Sequence, residues 1–349
     1  MNDLTTSQRI EYIDSLKGFL ILSVVMCHVA GLCFGIQADI PSFQHILFEF
    51  RNPPFFFISG FLAYKIATNW NVHTVTALIR KKFISILWPT IIFTLAFKLS
   101  GNTLCDSNST NIWFYWFTIS LFVFFLYYYI LEFCLHFLNN EIIKSLLFLI
   151  ICIFFYFAFS IQSIYEKLPI DDATKDYCGM KYWGYFFFFI LGILARKHDK
   201  LFNQLLDNIF FTAACVFIFI LFNFFSQPLQ ENLFNLFRIT TYLTGTILVI
   251  LFFKKHIPTG KYKSILNQMG KRTLDIYLIH TFLLPLSFYD YTTFLRVSPM
   301  PIVEFIITFS MSIIIIGMSF IISCFLRLSP ISALILFGDR TILKQNKTA

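Results

Sequence analysis

The sequence predicts an all-α, polytopic membrane protein of about ten transmembrane helices with both termini in the cytoplasm. Three observations carry that prediction. Of the 349 residues, 57% are hydrophobic and only 13% are charged, about half the charged fraction of an ordinary soluble domain. Apolar runs of roughly 17 or more residues, the length needed to cross a bilayer, recur along the chain. Lys and Arg also divide unevenly between the segments that join these runs. With the N-terminus inside, 20 of the 27 fall on the inner side or at its border and 7 on the outer, and the reverse orientation inverts that ratio.

Taken in order, the runs cover residues 18–36, 46–66, 82–99, 112–136, 142–161, 182–195, 208–225, 233–253, 273–289 and 302–326. The first follows Arg9 and Lys17 as a signal peptide would. It is longer than a signal's apolar core and many more runs follow, so a retained helix is expected. No gap between runs exceeds about 20 residues, which predicts one membrane domain over residues 1–349 with no appended soluble domain. Cys27, Cys134, Cys152, Cys215 and Cys324 fall inside the runs, where they act as small apolar side chains. Cys105 and Cys178 fall in loops on the same predicted side, where they either pair or stay free.

Ionisable groups inside hydrocarbon are costly, so each is read first as functional. His28 lies eleven residues after Lys17, about 16 Å into a layer about 30 Å thick. Desolvation favours a neutral imidazole there, and a neutral imidazole can take a proton from a hydroxyl as a general base. The competing reading is a histidine that only ties two helices together. Arg51 sits five residues inside the second run. It either holds a carbonyl or phosphate near His28 or snorkels out as an interface anchor.

Pro53-Pro54 predict an irregular start to the second run, of the kind tolerated where backbone lines a cavity. Ser59-Gly60 offers a small surface for close helix approach. Tyr277 and His280 share one helix face, from which Asp275 points away. His280 either lines the same cavity as His28 or bonds a neighbouring helix. Glu132 and Glu304, near the ends of their runs, read as interface residues. The outer loop 162–181 mixes acidic, basic and aromatic residues, as a sugar-facing loop or an ordinary solvated one would. Arg80-Lys81-Lys82 and the basic loop after the eighth run either anchor the chain to anionic membrane lipid or receive a phosphorylated cosubstrate. No Walker loop, G-x-G-x-x-G turn, H-E-x-x-H or C-x-x-C spacing occurs, so no metal, nucleotide-hydrolysis engine or nucleic-acid partner is expected.

Four stretches together resemble the acyltransferase 3 family of integral-membrane acyltransferases. They are Tyr12 to His28, Arg51 to Phe61, Tyr115 to Phe122, and Met269 to His280; the Phe-rich Tyr185 to Gly192 is similar to a further family segment. Lys17 stands where the family often has Arg. The family's inner Arg-x-x-Arg pair is not matched, because Phe83 and Ser85 occupy the candidate positions for its second arginine. The resemblance implies an enzyme of a bacterial plasma membrane that transfers an acyl group, usually acetyl. The donor would be cytoplasmic acetyl-CoA or another acyl-CoA, and the acceptor a glycan or glycolipid hydroxyl. It implies catalytic roles for His28, Arg51 and Asp14, and donor contacts at Lys17, Arg80, Lys81 and Lys82. Ser59, Tyr277 and His280 would line the substrate cavity. Some members carry an extracytoplasmic hydrolase-like domain absent from this sequence, so the chain either completes the transfer or passes the acyl group to a separate extracytoplasmic transferase. The rival reading is a transporter or flippase for a saccharide or lipid-linked intermediate. A transporter more often shows paired broken helices, whereas one proline-broken run is evident here.

Overall fold

The computed structural model describes residues 11–36, 51–65, 68–100, 115–161, 180–225, 231–256, 260–291 and 300–339, together with 43, 47, 165–170 and 175. Among them every regular element is helical. In chain order these are α1 (Glu11–His28, continued by a π-helical turn, Val29–Cys33), α2 (Pro53–Ala63), α3 (Val72–Leu99), α4 (Trp116–Cys134) and α5 (Glu141–Ser160). A 3-10 turn, Met180–Tyr185, leads into α6 (Phe186–Lys197), followed by α7 (Asp199–Asp207), α8 (Ile209–Phe225) and α9 (Glu231–Lys255). Then come α10 (Gly260–Lys271), α11 (Thr273–Ile279, continued by His280–Leu283), a single helical turn at Phe288–Tyr291, α12 (Pro301–Leu326) and α13 (Pro330–Phe337). Cys105 and Cys178 lie outside the described residues.

Six of these helices are long and apolar enough to cross a bilayer, or seven if α7 and α8, bent by 75° at their junction, form one span. The ten runs read from the sequence therefore include segments that do not become long straight helices. Within the described part of run 46–66 lies an 11-residue helix, α2, and residues 273–289 yield α11, which ends at Leu283. Hydropathy averages composition over a window and does not register where a helix stops. Here Pro285 does so, holding Leu284 extended (φ −69°, ψ 120°) because the pyrrolidine ring disfavours a helical residue before it. An 11-residue helix is about 16 Å long, half the hydrocarbon layer. Both short helices are largely enclosed by protein, where interrupted helices at membrane depth are tolerated.

α1 is the axis of the bundle. Of its apolar window 67% is buried, against 28% for α3, α5 and α12, whose apolar faces are left for lipid. Two crossings built on glycine fix its surroundings. A Cβ on Gly18 would meet the backbone of Leu266, and one on Gly270 would meet the backbone of Asp14, so α1 and α10 touch main chain to main chain. Gly60 and Gly192 do the same for α2 and α6, facing the backbones of Phe189 and Phe57. Between lipid-exposed helices no hydrophobic effect drives association, and such close contacts supply it through dispersion. Behind α2 and α6 a second cluster of Phe56, Phe124, Phe125, Phe186, Phe188 and Phe189 fills the space towards α4 and α5.

The α2–α6 crossing gives a direct test. Gly60→Ala or Gly192→Ala forces the backbones apart and is expected to cost about 1–3 kcal/mol, as overpacking does. Gly317→Ala on α12, where a Cβ meets nothing within 4 Å, is the control and should match or exceed wild type. Thermal unfolding of the three variants in one detergent measures it. Equal melting temperatures for Gly60→Ala and Gly317→Ala would contradict the crossing.

Two acidic residues depart from the sequence expectation. Glu132 and Glu304, read as interface residues, are 4% and 1% exposed. Glu132 on α4 pairs with Lys144 on α5 at 2.5 Å, both side chains being nearly enclosed. Asp275 does point away from Tyr277, and it enters an ion-pair cluster. Arg327 grips it through Nε at 2.8 Å and Nη2 at 2.9 Å, Ser323 Oγ donates to it at 2.6 Å, and Arg327 Nη1 reaches Asp339 at 2.8 Å. This cluster fastens α11, α12 and the segment after α13 together.

Candidate active site

A cavity of about 180 Å³ opens alongside α1. Its wall on that helix is one stripe, Lys17, Ile21, Val24 and His28, at the i, i+4, i+7, i+11 spacing that stacks side chains on a single helical face. The stripe places an ammonium at one end and an imidazole about 16 Å away at the other. Facing it are Arg51 and Asn52 just before α2, Phe55 and Ser59 on α2, Trp116 to Thr118 and Leu121 from α4, Ile86 from α3, and Thr273, Leu274 and Tyr277 from α11.

The local sequence explains how these groups are held. Asn52 stands at the N-cap position of α2 without a side-chain cap bond, and Pro53 and Pro54 occupy the first helical positions, where a missing N–H is harmless and the fixed φ suits a helix. From Pro53 the helix is regular, and a bend at Asn52 separates it from Arg51; residues 46 and 48–50, at the start of this run, lie outside the described residues. In α3, Pro89 cannot donate to the preceding turn and its ring crowds the carbonyl there. The helix widens into a π turn over Phe83–Leu87 immediately before it, and Ile86 of that turn borders the cavity. Such bulges are common at functional sites.

The structure brings Lys17, His28, Arg51, Ser59 and Tyr277 to one cavity. Arg51 lies near enough to Cys27 and His28 for its charge to act on both. His280 is fully enclosed and stands behind the wall, with its Nε2 2.8 Å from His28 Nδ1. Of its two sequence readings, the bond to a neighbouring helix is the one observed, and the neighbour is His28 itself. Asp14 does not border the cavity and pairs with Lys17 at 3.2 Å one helical turn along. Arg80 and Lys81 are exposed on the first half of α3, away from the cavity wall, and Lys82 lies 3.6 Å from the centre of the Phe125 ring.

Trp116 was not singled out by sequence reasoning. One face of its indole is stacked on Tyr182 with centroids 3.8 Å apart, which fixes the ring against the cavity. Tyr115 beside it is locked by bonds to Leu278 O at 2.9 Å and Thr281 Oγ1 at 2.8 Å. The one sequence signal for this wall was the Tyr115–Phe122 stretch as a whole.

These features describe an integral, multi-pass helical membrane protein built around a cavity bordered by a histidine and an arginine. The comparison with known families is specific. The acyltransferase 3 model, described as an acyltransferase domain, matches residues 10–327, and the chain belongs to that family. All of the cavity wall lies within the match, and the chain is consistent with an acyltransferase. No curated protein and no solved structure matches it.

Proposed function

We propose that the chain transfers an acyl group, acetyl in the first instance, from cytoplasmic acyl-CoA to a hydroxyl of a cell-envelope saccharide in a bacterial plasma membrane. The observation that carries this reading is the placing of Lys17 and His28, with Arg51, at opposite ends of one slot. A cavity of about 180 Å³ is below the ~300–1,000 Å³ of a pocket for a whole drug-sized ligand. It suits the thioester end of the donor, while the phosphate-bearing end stays outside. Lys17 at the mouth and exposed Arg80 and Lys81 have the chemistry to meet those phosphates.

At the other end the acceptor hydroxyl attacks the thioester carbonyl. His28 takes the hydroxyl proton through Nε2, the ring nitrogen not engaged by His280. The new C–O bond leaves negative charge on the carbonyl oxygen, which the Arg51 guanidinium stabilises. The C–S bond then breaks, and the departing thiolate recovers the proton from His28. Trp116 offers a rigid aromatic face on which a sugar ring can lie. Base and acyl end share one cavity, which favours direct transfer over relay to a second transferase.

Loss of the chain from its source cell is expected to remove O-acyl groups from an envelope saccharide while polymer export continues, read by mass spectrometry of the purified glycan. Export failing instead, with acylation of the residual polymer unchanged, would sink the proposal in favour of transport. Within the site, Arg51→Met should lower kcat by about 10²–10³-fold, as loss of an oxyanion donor does. Arg51→Lys should recover only part of this, because an ammonium lacks the planar fork of donors. A kcat for Arg51→Met equal to wild type would remove Arg51 from the chemistry.

A further inference from the structure

His280 has no place in the chemistry just described, yet it is the side chain in closest polar contact with the proposed base. We infer that His280 is a positioning residue that sets the tautomer of His28, leaving a lone pair on the nitrogen that faces the cavity. The inference rests on the reading of His28 as the base.

Two bonds and one proton count carry it. His280 Nδ1 lies 3.1 Å from the carbonyl oxygen of Ile276, one helical turn earlier. A carbonyl has no proton to give, so Nδ1 of His280 holds one and donates it. A neutral imidazole carries a single N–H, so His280 Nε2 is bare and can only accept. That nitrogen lies 2.8 Å from His28 Nδ1, which must therefore be the donor. His28, neutral in turn, has spent its proton on Nδ1, and its Nε2 is left as a lone pair. The rings are near-parallel, tilted by 10°, with centroids 5.1 Å apart, as two imidazoles sharing an edge-to-edge bond within one plane would be. His280 is 0% exposed while His28 is open to the cavity. Water therefore does not compete for the bond that orients the base.

The alternative tautomer of His28 would set two lone pairs against each other at that distance and place a proton on Nε2, where it cannot act as a base. The orienting role that a carboxylate plays in many catalytic triads falls here to a backbone carbonyl acting through a second ring. Asp275, five residues from His280, is engaged by Arg327 instead. When His28 gains the acceptor's proton it keeps the Nδ1 proton as well, and the bond to His280 becomes charge-assisted and stronger.

The test uses the full chain in lipid nanodiscs, with ¹⁵N-histidine labelling and His28→Gln as the assignment control. The inference expects a pyridine-type ¹⁵N signal for His28 Nε2 and a pyrrole-type signal for its Nδ1. The reverse pattern overturns it. This readout needs no turnover, so it stands or falls apart from the acyltransferase reading. A second arm measures kcat with acetyl-CoA and the source glycan. His280→Leu removes the acceptor and should lower kcat by about 10²-fold, within what a positioned base contributes, with the KM for acetyl-CoA unchanged. His280→Gln returns an amide oxygen to accept from His28 and an NH₂ to meet the Ile276 carbonyl, and should regain at least about tenfold of that loss. Equal kcat for His280→Leu and wild type, or no recovery in a well-folded His280→Gln, overturns the positioning role. Loss of transfer in every variant and in wild type, with the tautomer as expected, overturns the function and leaves the tautomer assignment intact.

Discussion

Replacing His28 with alanine is expected to cut acyl transfer by roughly 10²–10⁴-fold, the contribution of a positioned general base, with the protein still present in the membrane at its normal level. The side chain borders an existing cavity, so its loss enlarges a space already open and removes little packing. The main structural loss is the bond to His280. His28→Gln, which keeps a polar partner for His280 but cannot take a proton at neutral pH, should be as inactive as His28→Ala and more stable. Rates with acetyl-CoA and the purified acceptor measure both. Transfer that survives in either variant at wild-type protein levels would remove His28 from the chemistry.

The second large effect lies far from the cavity. Lys144→Ala is expected to destabilise the protein by about 3–5 kcal/mol, because it strands the Glu132 carboxylate in an enclosed place between α4 and α5. The pair as a whole need not be stabilising, since both ions lose hydration to form it. The joint replacement Glu132→Leu with Lys144→Met, which is close to volume-conserving and leaves no charge behind, should therefore restore most of what Lys144→Ala loses. Melting temperatures of the single and double variants decide it. A double variant no more stable than the single one would mean that the two side chains do not form an isolated buried pair.

How much of this was legible beforehand depended on whether a residue declared itself alone or through a partner. His28, Arg51 and Lys17 stand out in an apolar sequence because ionisable groups are rare at membrane depth. The cavity stripe on α1 follows from helical spacing once Lys17 and His28 are given. The second glycine of each crossing is another matter. Gly60 and Gly192, or Gly18 and Gly270, become pairs only when the chain has folded. The segments recognised together as family-like, Tyr12 to His28 with Met269 to His280 and Arg51 to Phe61 with Tyr185 to Gly192, turn out to be the two halves of those crossings. Glu132 with Lys144, and Asp275 with Arg327, were hidden because each charge had an ordinary local explanation near a helix end. Which apolar runs become long helices was hidden for a related reason. Hydrocarbon-like composition is shared by helices that face lipid and by α2, α6 and α11, which are buried in protein.

The axial position of α1 also bears on how the protein is made. Ser15 Oγ bonds Asn267 at 2.6 Å and His28 bonds His280 at 2.8 Å, and each partner lies 252 residues further along the chain. At about 5–20 residues per second of synthesis, that separation is roughly 13–50 s. Through that interval α1 must wait in or beside the bilayer with Ser15 and His28 unanswered. The wait ends only when α10 and α11 arrive. A ribosome that stalls before that point leaves a nascent chain in which Ser15 and His28 lack these partners, which gives the cell's membrane quality control something to recognise.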